Sequence, residues 1–397
     1  MSKVTISDAV RYIGCDDHEI DLFESQYQVP NGVSYNSYLI VDEKIAIMDT
    51  VDARAGQEWL ANLEQELEQN LSGRWPDYLV VSHLEPDHAA NIQRVCERYP
   101  QLKVVSNAKA LSMLPQFFDM DFTKRSIEVK EGDTLDLGSH SLCFYMAPMV
   151  HWPEVMVTYE SSEKILFSAD GFGKFGALDA REEWDDEARR YYMNIVGKYG
   201  APVQALLKKA SALNIETICP LHGPVLKENL AHYLEKYDIW SSYRPEDRGI
   251  TIVCASIHGN TAAAARELAA LLQEKGQKVS FFDLARDDMA RAIDNAFRYD
   301  RLVLAAATYD GGLFPCMEDF LYHLKLKNYQ KRTVGILENG SWAPMAGKLM
   351  REYVQGFKDC VVAEPVVTVK SALNDASRAQ LKALAHALTD IDMVQQM

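Results

Sequence analysis

The stretch His83-Leu84-Glu85-Pro86-Asp87-His88 places four metal-ligand side chains within six residues. It directly follows the apolar run Tyr78-Leu79-Val80-Val81, which has the length and composition of a buried strand. Imidazoles and carboxylates at the end of such a strand predict a metal site. If the stretch stays extended, His83, Glu85 and Asp87 alternate onto one side and the last histidine points elsewhere, so one peptide can serve two metal ions. A polar surface turn is the alternative that this stretch alone leaves open.

Three later strands also end close to a ligand-type residue. His151, Asp170 and His222 each follow a predicted strand, and each lies near a glycine or proline that can hold its loop in a tight conformation. Taken singly, each is more often a structural histidine or a loop aspartate. Together with the first stretch they predict a site for two metals bridged by one carboxylate, formed by His83, Glu85, Asp87, His88, His151, Asp170 and His222.

The first part of the chain is predicted to contain many short strands with helices packed outside them. Helices are expected at Gly56–Glu68 and His88–Arg98, and the region Glu182–Leu213 is expected to be mostly helical. We therefore predict two sheets sandwiched between helices. The predicted strands are Val33–Val41, Lys44–Asp49, Tyr78–Val81, Lys103–Val105, Ser126–Val129, Leu142–Met146, Val155–Tyr159, Lys164–Ser168 and Thr217–Cys219.

After a polar, proline-containing segment at 241–248, the pattern changes to regular β-α alternation. Five strands with intervening helices predict a doubly wound parallel sheet. We therefore predict two domains, 1–243 and 249–397. The strands of the second are Ile250–Ser256, Lys278–Asp283, Leu302–Ala307, Thr333–Glu338 and Val361–Val369, and its helices are Ala262–Glu274, Asp288–Phe297, Met317–Leu326, Met345–Phe357 and Ala376–Leu388.

The composition excludes several classes of function. The length of 397 residues predicts two or three domains, and the formal net charge of −16 argues against binding to nucleic acid, whose phosphates require Lys and Arg. The seven cysteines are scattered and never spaced CxxC, so we expect reduced thiols, a cytoplasmic location and no four-cysteine metal site. We expect neither a signal peptide nor a membrane span, because no apolar run reaches about 18 residues.

The spacing of the ligands resembles that of a known fold and family. Hydrolases of the metallo-β-lactamase fold usually carry HxHxDH where this chain has HxExDH, with Glu85 in place of the second histidine. A carboxylate adds negative charge and a hard oxygen ligand, which favours iron over hydrolytic zinc. The number of intervening residues is 62 between His88 and His151, 18 between His151 and Asp170, and 51 between Asp170 and His222. These intervals are similar to those of the flavodiiron proteins, also called A-type flavoproteins.

The resemblance implies a di-iron centre in a metallo-β-lactamase-like αββα sandwich. The chain departs from the family pattern upstream, where Phe23-Glu24-Ser25 stands in place of the Phe-His-Gly that many members carry. That segment precedes the Tyr-Asn-x-Tyr motif, which in this chain is Tyr35-Asn36-Ser37-Tyr38. The chain therefore lacks, at this position, the histidine that is proposed to support the metal site in the family. The resemblance implies that one iron, nearer the flavin, is bound by His83, Glu85 and His151, the other by Asp87, His88 and His222, with Asp170 bridging.

In the second domain, the turn at 256–261 follows the first strand and opens a helix. Its hydroxyl groups, amide and backbone N–H groups suit a terminal phosphate monoester, although an ordinary loop is the open alternative. Two more loops follow the third and fourth strands, at the edge where doubly wound sheets bind ligands. The turn resembles the phosphate loop of flavodoxins, whose ligand is FMN. The predicted FMN-binding residues are Ser256, Ile257, His258, Gly259, Asn260, Thr261, Thr308, Tyr309, Asp310, Gly311, Gly312, Asn339, Gly340, Ser341 and Trp342.

The resemblance covers essentially the whole chain and implies an oxidoreductase. Flavodiiron proteins reduce dioxygen to water, nitric oxide to nitrous oxide, or both, at a non-haem di-iron site that FMN re-reduces. The resemblance also implies a separate electron donor such as rubredoxin, and it implies a head-to-tail homodimer or a dimer of dimers. The main alternative is a zinc hydrolase of the metallo-β-lactamase fold fused to a flavodoxin-like domain, and a further one is an electron carrier with a vestigial metal site.

Overall fold

The computed structural model describes residues 4–394, with side chains described up to residue 390. The chain forms two compact units, Met1–Asp238 and Ile239–Met397. All seven cysteines are free thiols. Among the described residues, no helix combines the length and the apolar character needed to cross a lipid bilayer.

The first unit is built from fifteen short strands and the helices around them. Its strands are β1 Val10–Tyr12, β2 Cys15–Asp17, β3 Leu22–Phe23, β4 Tyr27–Gln28, β5 Val33–Tyr35, β6 Tyr38–Val41, β7 Ile45–Met48, β8 Tyr78–Val80, β9 Lys103–Asn107, β10 Ser126–Val129, β11 Thr134–Asp136, β12 Ser141–Met146, β13 Met156–Glu160, β14 Ile165–Phe167 and β15 Thr217–Cys219. Its helices are α1 Gly56–Gln65, α2 Pro86–Ala89, α3 Ile92–Arg98, α4 Ala108–Phe117, α5 Trp184–Tyr191, α6 Gly200–Ala210 and α7 Leu230–Ser241, which contains the boundary between the units. A π-helical turn, Glu66–Asn70, extends α1, and Tyr192–Val196 (π) and Gly197–Tyr199 (3₁₀) join α5 to α6.

Two sheets pack face to face in this unit. One has the order β1-β6-β7-β8-β9-β10 and the other the order β11-β12-β13-β14-β15. Alternate side chains of both sheets point into one core, for example Ile40 and Met48 from the first and Phe144 and Phe167 from the second. This two-residue period is the reason that short apolar strands form a sandwich here. The fold is the metallo-β-lactamase-like sandwich that the sequence predicts.

The direction of the strands places the predicted ligand loops at one end of the sandwich. Strand β13 is antiparallel to β12 and β14, and β14 is parallel to β15. The carboxyl ends of β12, β14 and β15 therefore lie at one edge of the second sheet, and the loops that carry His151, Asp170 and His222 leave from that edge. The loop after β8 brings the residues of the opening motif to the same place from the first sheet.

Two predicted elements of this unit are broken in the structure. The predicted strand Val33–Val41 is two strands, because β5 pairs with β2 while β6 pairs with β1 and β7. The predicted helix His88–Arg98 is likewise interrupted, since α2 ends at Ala89 and α3 begins at Ile92. Both breaks lie beside the metal-ligand cluster described below, where local geometry overrides the periodic pattern.

The second unit contains a parallel sheet with helices on both faces. Its strands are β16 Asp247–Ala255, β17 Val279–Asp283, β18 Tyr299–Tyr309, β19 Gly312–Leu313, β20 Thr333–Asn339, β21 Val361–Val362 and β22 Val367–Val369. Its helices are α8 Asn260–Glu274, α9 Met289–Arg298, α10 Pro315–Leu326, α11 Ala346–Gln355 and α12 Asp375–Val394. The strand order is β17-β16-β18-β20, followed by β21 and β22, which is the order of flavodoxin-like sheets.

The alternation of side chains along β16 shows why helices cover both faces. Ile250, Ile252 and Cys254 share one apolar core with α8 and α12. Thr251 points to the other face, where its hydroxyl group donates a hydrogen bond to the Asn295 carbonyl oxygen of α9. The fifth predicted strand, Val361–Val369, differs from the expected pattern, because it is divided into β21 and β22, which pair with opposite ends of β20.

Candidate metal and flavin sites

Four loops of the first unit bring all seven predicted ligand residues into one cluster. The side chains form two groups, each with ligand atoms within 4.8 Å of one another: His83, Glu85, His151 and Asp170 in one, and Asp87, His88 and His222 in the other. Asp170 lies between the groups. Its Oδ2 atom lies 3.0 Å from His151 Nε2 and 3.1 Å from His83 Nε2, whereas its Oδ1 atom lies 3.8 Å from His222 Nε2.

Short contacts also connect the ligands within each group. In the first group, Glu85 Oε2 lies 2.9 Å from His151 Nε2. In the second, His222 Nε2 lies 3.1 Å from both Asp87 Oδ2 and His88 Nε2. The His88 ring is turned so that its Nδ1 atom faces the Thr50 carbonyl oxygen and its Nε2 atom faces the cluster. His88 therefore presents a ring nitrogen to the same point as the other two.

The stretch does not stay extended, so Asp87 does not alternate onto the side of His83 and Glu85. Glu85 is the last extended residue, and Pro86 begins the helical turn α2. Proline fixes a helical φ angle and lacks the N–H that a first helical turn leaves unpaired, so it favours this start. The turn rotates Asp87 and His88 together into the second group, which an extended chain would not do.

The electrostatics of the cluster favour a bound cation. Burial by itself would raise the pKa of Asp170, but the charge of His83 and the hydrogen bond and charge of His151 hold it well below its usual value. Burial and then the negative charge of Glu85 raise the pKa of Asp87 to about 6. Burial and the neighbouring His222 lower the pKa of His88 well below its usual value. These opposed shifts show that carboxylates and imidazoles are packed closely enough to perturb one another's pKa values strongly.

Several buried polar atoms of the cluster have no hydrogen-bond partner among the described residues. They are both ring nitrogens of His83, Oδ1 of Asp87 and Oδ1 of Asp170. Buried polar atoms are nearly always paired, so a group of orphans at one point indicates a missing partner. A metal ion accepts such lone pairs, and a donor set of four histidines and three carboxylates suits iron. The residues present therefore fit two metal ions.

Residues of the Tyr-Asn-x-Tyr motif hold the loop that carries His222. Asn36 Nδ2 donates hydrogen bonds of 2.8 Å to the carbonyl oxygens of Pro220 and Gly223, and Tyr38 donates one of 2.6 Å to Pro220. His222 Nδ1 lies 2.7 Å from the Ser34 carbonyl oxygen, which leaves Nε2 to face the cluster. The motif, for which the sequence suggests no role, thus fixes the orientation of one ligand.

Sequence reasoning also missed the residues that hold His83 and Glu85. Asp49 accepts hydrogen bonds of 2.7 Å from both the backbone N–H and the hydroxyl group of Ser82. Glu154 accepts one of 2.9 Å from the backbone N–H of Leu84, between the two ligands. Asp49 directly follows β7, and a polar residue at the end of an apolar strand is a sequence signal that could have identified it as part of the site. Glu154 carries no comparable signal.

Glu24, which replaces the histidine of the family motif, lies beside the cluster. Loss of solvation and the negative charge of Glu85 raise the pKa of Glu24 to about 7. Its backbone has a positive φ angle of 48°. The position therefore supplies a carboxyl group where the family pattern has an imidazole.

The predicted flavin loops lie side by side at one edge of the second sheet. The turn at 256–261 follows β16, the loop at 308–312 follows β18, and the loop at 339–342 follows β20. These three strands are adjacent and parallel, so their carboxyl ends meet at the same edge. The structure thus brings together all fifteen residues predicted to bind FMN.

The phosphate-type turn has the local geometry of an anion site. Gly259 adopts a φ angle of +92° just before α8, and its N–H donates to the Ser256 hydroxyl group. No atom lies within 4 Å of the position that a Cβ of Gly259 would occupy, so the space above the turn is open. Ile257 is exposed, as are Tyr309 and Trp342 on the neighbouring loops, with Trp342 83% exposed. A flat aromatic ligand with a phosphate group fits this edge.

Comparisons with known proteins agree with this architecture. A family model described as ODP family beta lactamase matches residues 33–223. The anaerobic nitric oxide reductase flavorubredoxin of Aliivibrio salmonicida is 30% identical over 353 residues, which cover 85% of this chain and 69% of that protein. The chain belongs to the flavodiiron protein family. The family consists of oxidoreductases that carry FMN and a non-haem di-iron site.

Solved structures of this family share the fold along the whole chain. Rubredoxin:oxygen oxidoreductase of Desulfovibrio gigas superposes with a TM-score of 0.90 and 25% identity, with 100% of both chains covered. The flavodiiron protein of Giardia intestinalis superposes with a TM-score of 0.91 and 23% identity, covering 100% of this chain and 98% of that one. The order of a metallo-β-lactamase-like unit before a flavodoxin-like unit is therefore that of a flavodiiron protein.

Proposed function

We propose that this flavodiiron protein reduces dioxygen to water, nitric oxide to nitrous oxide, or both. The observation that carries the proposal is the double cluster in which Asp170 lies between two sets of ligand atoms, with orphaned buried atoms in both. Two relatives support the two reactions. The relative from Aliivibrio salmonicida is an anaerobic nitric oxide reductase, and the relative from Desulfovibrio gigas is a rubredoxin:oxygen oxidoreductase.

We assign seven metal ligands within this site. His83, Glu85 and His151 would hold one iron and Asp87, His88 and His222 the other, with Asp170 as the bridge. Bound iron and FMN supply electrons, four for each dioxygen or two for each pair of nitric oxide molecules. Asp170 would connect the two ions, and backbone carbonyl groups set the ring orientation of His222 and His88.

The flavin assignment rests on the edge of the second sheet. The turn at 256–261 would take the phosphate, while the loops at 308–312 and 339–342 would enclose the ring. We propose domains of 1–243 and 249–397 and a cytoplasmic location, which the free cysteines support. We also propose a separate electron donor of the rubredoxin type and a head-to-tail homodimer or a dimer of dimers that pairs each flavin with irons of another subunit.

Metal analysis combined with steady-state gas reduction tests the proposal. Purified protein reconstituted with iron and FMN would be pre-reduced and supplied with dioxygen or nitric oxide at matched electron flux. We expect two irons and one FMN per chain and turnover with at least one gas. Zinc as the bound metal, together with hydrolysis of a thioester or lactam and no gas reduction, would instead identify the zinc hydrolase alternative.

A further inference from the structure

Helix α11 of the second unit begins without a side-chain cap of its own. Its first N–H groups are satisfied by side chains from two neighbouring strands. The Thr308 hydroxyl group of β18 accepts hydrogen bonds from the N–H groups of Met345 at 2.9 Å and Ala346 at 3.1 Å. The Glu338 carboxylate of β20 accepts one from Gly347 N–H at 2.8 Å. Unpaired N–H groups at a helix start must find partners, so these strand residues fix where α11 begins.

Glu338 is held tightly on both of its oxygen atoms. Its Oε2 atom accepts from Gly347, and its Oε1 atom accepts a 2.9 Å hydrogen bond from the Thr368 hydroxyl group of β22. The residue is only 9% exposed, and a Cβ on Gly347 would lie 2.9 Å from its carboxylate. Glutamate is seldom buried this deeply, and a helix N-terminus favours its negative charge. A glutamine of the same shape can replace these contacts, so packing alone does not demand the charge.

These contacts anchor both ends of the loop that carries Trp342. At the start, Asn339 and Ser371 exchange two hydrogen bonds of 2.9 and 3.1 Å, and the N–H of Gly340 donates to the Val369 carbonyl oxygen. At the other end, Thr308 and Glu338 hold the first turn of α11. Only the apex around Trp342 projects into solvent. The loop is thus held at both of its ends at the predicted flavin edge.

We propose that Glu338 is a positioning residue for the flavin that also lowers the reduction potential of bound FMN. The inference rests on the FMN site proposed above. Uptake of two electrons from the donor and one proton adds one negative charge to the ring system. A buried carboxylate directly before the loop opposes that added charge, because the interaction is poorly screened away from water. Glu338 therefore keeps the flavin a strong reductant while its hydrogen bonds hold the loop in place.

Two substitutions of Glu338 separate the effect of its negative charge from the effect of its hydrogen bond to the first turn of α11. Glu338→Gln keeps the shape and an acceptor but removes the charge, whereas Glu338→Ala removes both. Glu352→Gln on the exposed side of α11 is the matched control, because its carboxylate makes only a 3.9 Å contact with Lys348. Each full-length protein would be titrated with oxidised FMN by fluorescence quenching. The midpoint potential would then be measured by dithionite titration, with circular dichroism and iron content as checks on folding.

In Glu338→Gln we expect oxidised FMN to bind within about threefold of the parent protein. We expect reduced FMN to bind about tenfold more tightly relative to oxidised FMN, which for a two-electron couple is an upward shift of about 30 mV. In Glu338→Ala we expect the dissociation constant for oxidised FMN to rise about tenfold, and Glu352→Gln should change neither quantity.

An unshifted potential in Glu338→Gln with FMN bound would overturn the role of the charge. Unchanged FMN affinity in a folded Glu338→Ala protein would overturn the positioning role. If Glu338→Ala does not fold, the midpoint potential of Glu338→Gln still tests the role of the charge, and the FMN affinity of Glu338→Asp, whose shorter side chain withdraws the carboxylate from Gly347, tests the positioning role; unchanged FMN affinity in Glu338→Asp would overturn that role. If the parent protein itself binds no FMN, the proposed flavin site fails and this inference fails with it.

Discussion

Asn36→Ala tests whether the Tyr-Asn-x-Tyr motif positions the ligand loop of the second metal group. Asn36 is fully buried, and its Nδ2 atom donates to the carbonyl oxygens of Pro220 and Gly223 on either side of His222. The Tyr12 hydroxyl group donates to Asn36 Oδ1 and fixes the orientation of the amide. The substitution removes the side-chain partner of the Gly223 carbonyl oxygen and leaves that of Pro220 with Tyr38 alone, which lets the His222 ring move away from Asp87.

The size of the effect follows from these two hydrogen bonds. Each contributes about 1 kcal/mol, so the metal-free protein should lose about 2 kcal/mol of unfolding free energy. Removal of a residue that orients a ligand lowers metal affinity by about 10–100-fold, which corresponds to about 1.4–2.8 kcal/mol. The loss should fall on the iron held by Asp87, His88 and His222. The iron held by His83, Glu85 and His151 should stay bound.

A chelator challenge of the iron-loaded protein measures this difference. We expect one of the two irons to be extracted faster from the variant, and urea unfolding of the metal-free protein gives the stability term. Asn62→Ala is the control, because Asn62 Nδ2 donates a 3.1 Å hydrogen bond to the Gly14 carbonyl oxygen elsewhere in the unit. If both irons leave the Asn36 variant at the parent rates while its stability falls as in the control, the motif is only a structural element and the reasoning is refuted.

Three more outcomes follow from the site and the fold. Asp170→Ala should lose iron and gas reduction while FMN stays bound, and retention of two irons per chain by metal analysis would remove Asp170 from the bridge. Glu85→His should raise the ratio of zinc to iron bound in a competition experiment, because imidazole suits zinc better than a carboxylate does; an unchanged ratio would contradict the role of Glu85 in metal choice. Away from the site, burial disfavours the charged form of His140, but hydrogen bonds to Asp42 and Glu163 outweigh it and raise its pKa. Its contribution to stability is therefore full below the unfolded pKa of about 6.5 and is lost as the pH rises through the higher folded value. Urea unfolding should thus show that His140→Gln costs about 1 kcal/mol near pH 6 and less near pH 9, and an equal cost at both would exclude a charged His140.

The sequence by itself predicted the seven ligand-type residues that the fold brings into one cluster. Ligand-type side chains after four apolar strands indicated a two-metal site, because seven such residues are too many for one metal ion. The β-α rhythm of the second half likewise determined the parallel sheet and its ligand edge. Both results depend on local periodicity and on the few ways in which sheets and helices pack.

The family resemblance already implied how the ligand-type residues are divided, but only the tertiary structure shows the turn that produces the division and the residues that hold the side chains. The turn that begins at Pro86 rotates Asp87 and His88 away from Glu85, which the alternation of an extended chain does not predict. Asn36 and Glu154 reach the metal loops across long sequence separations. Such partners leave no local pattern, because a hydrogen bond between distant segments depends on where the whole fold places their backbones. The opening motif therefore supplies candidate metal ligands, and the fold places them in two groups.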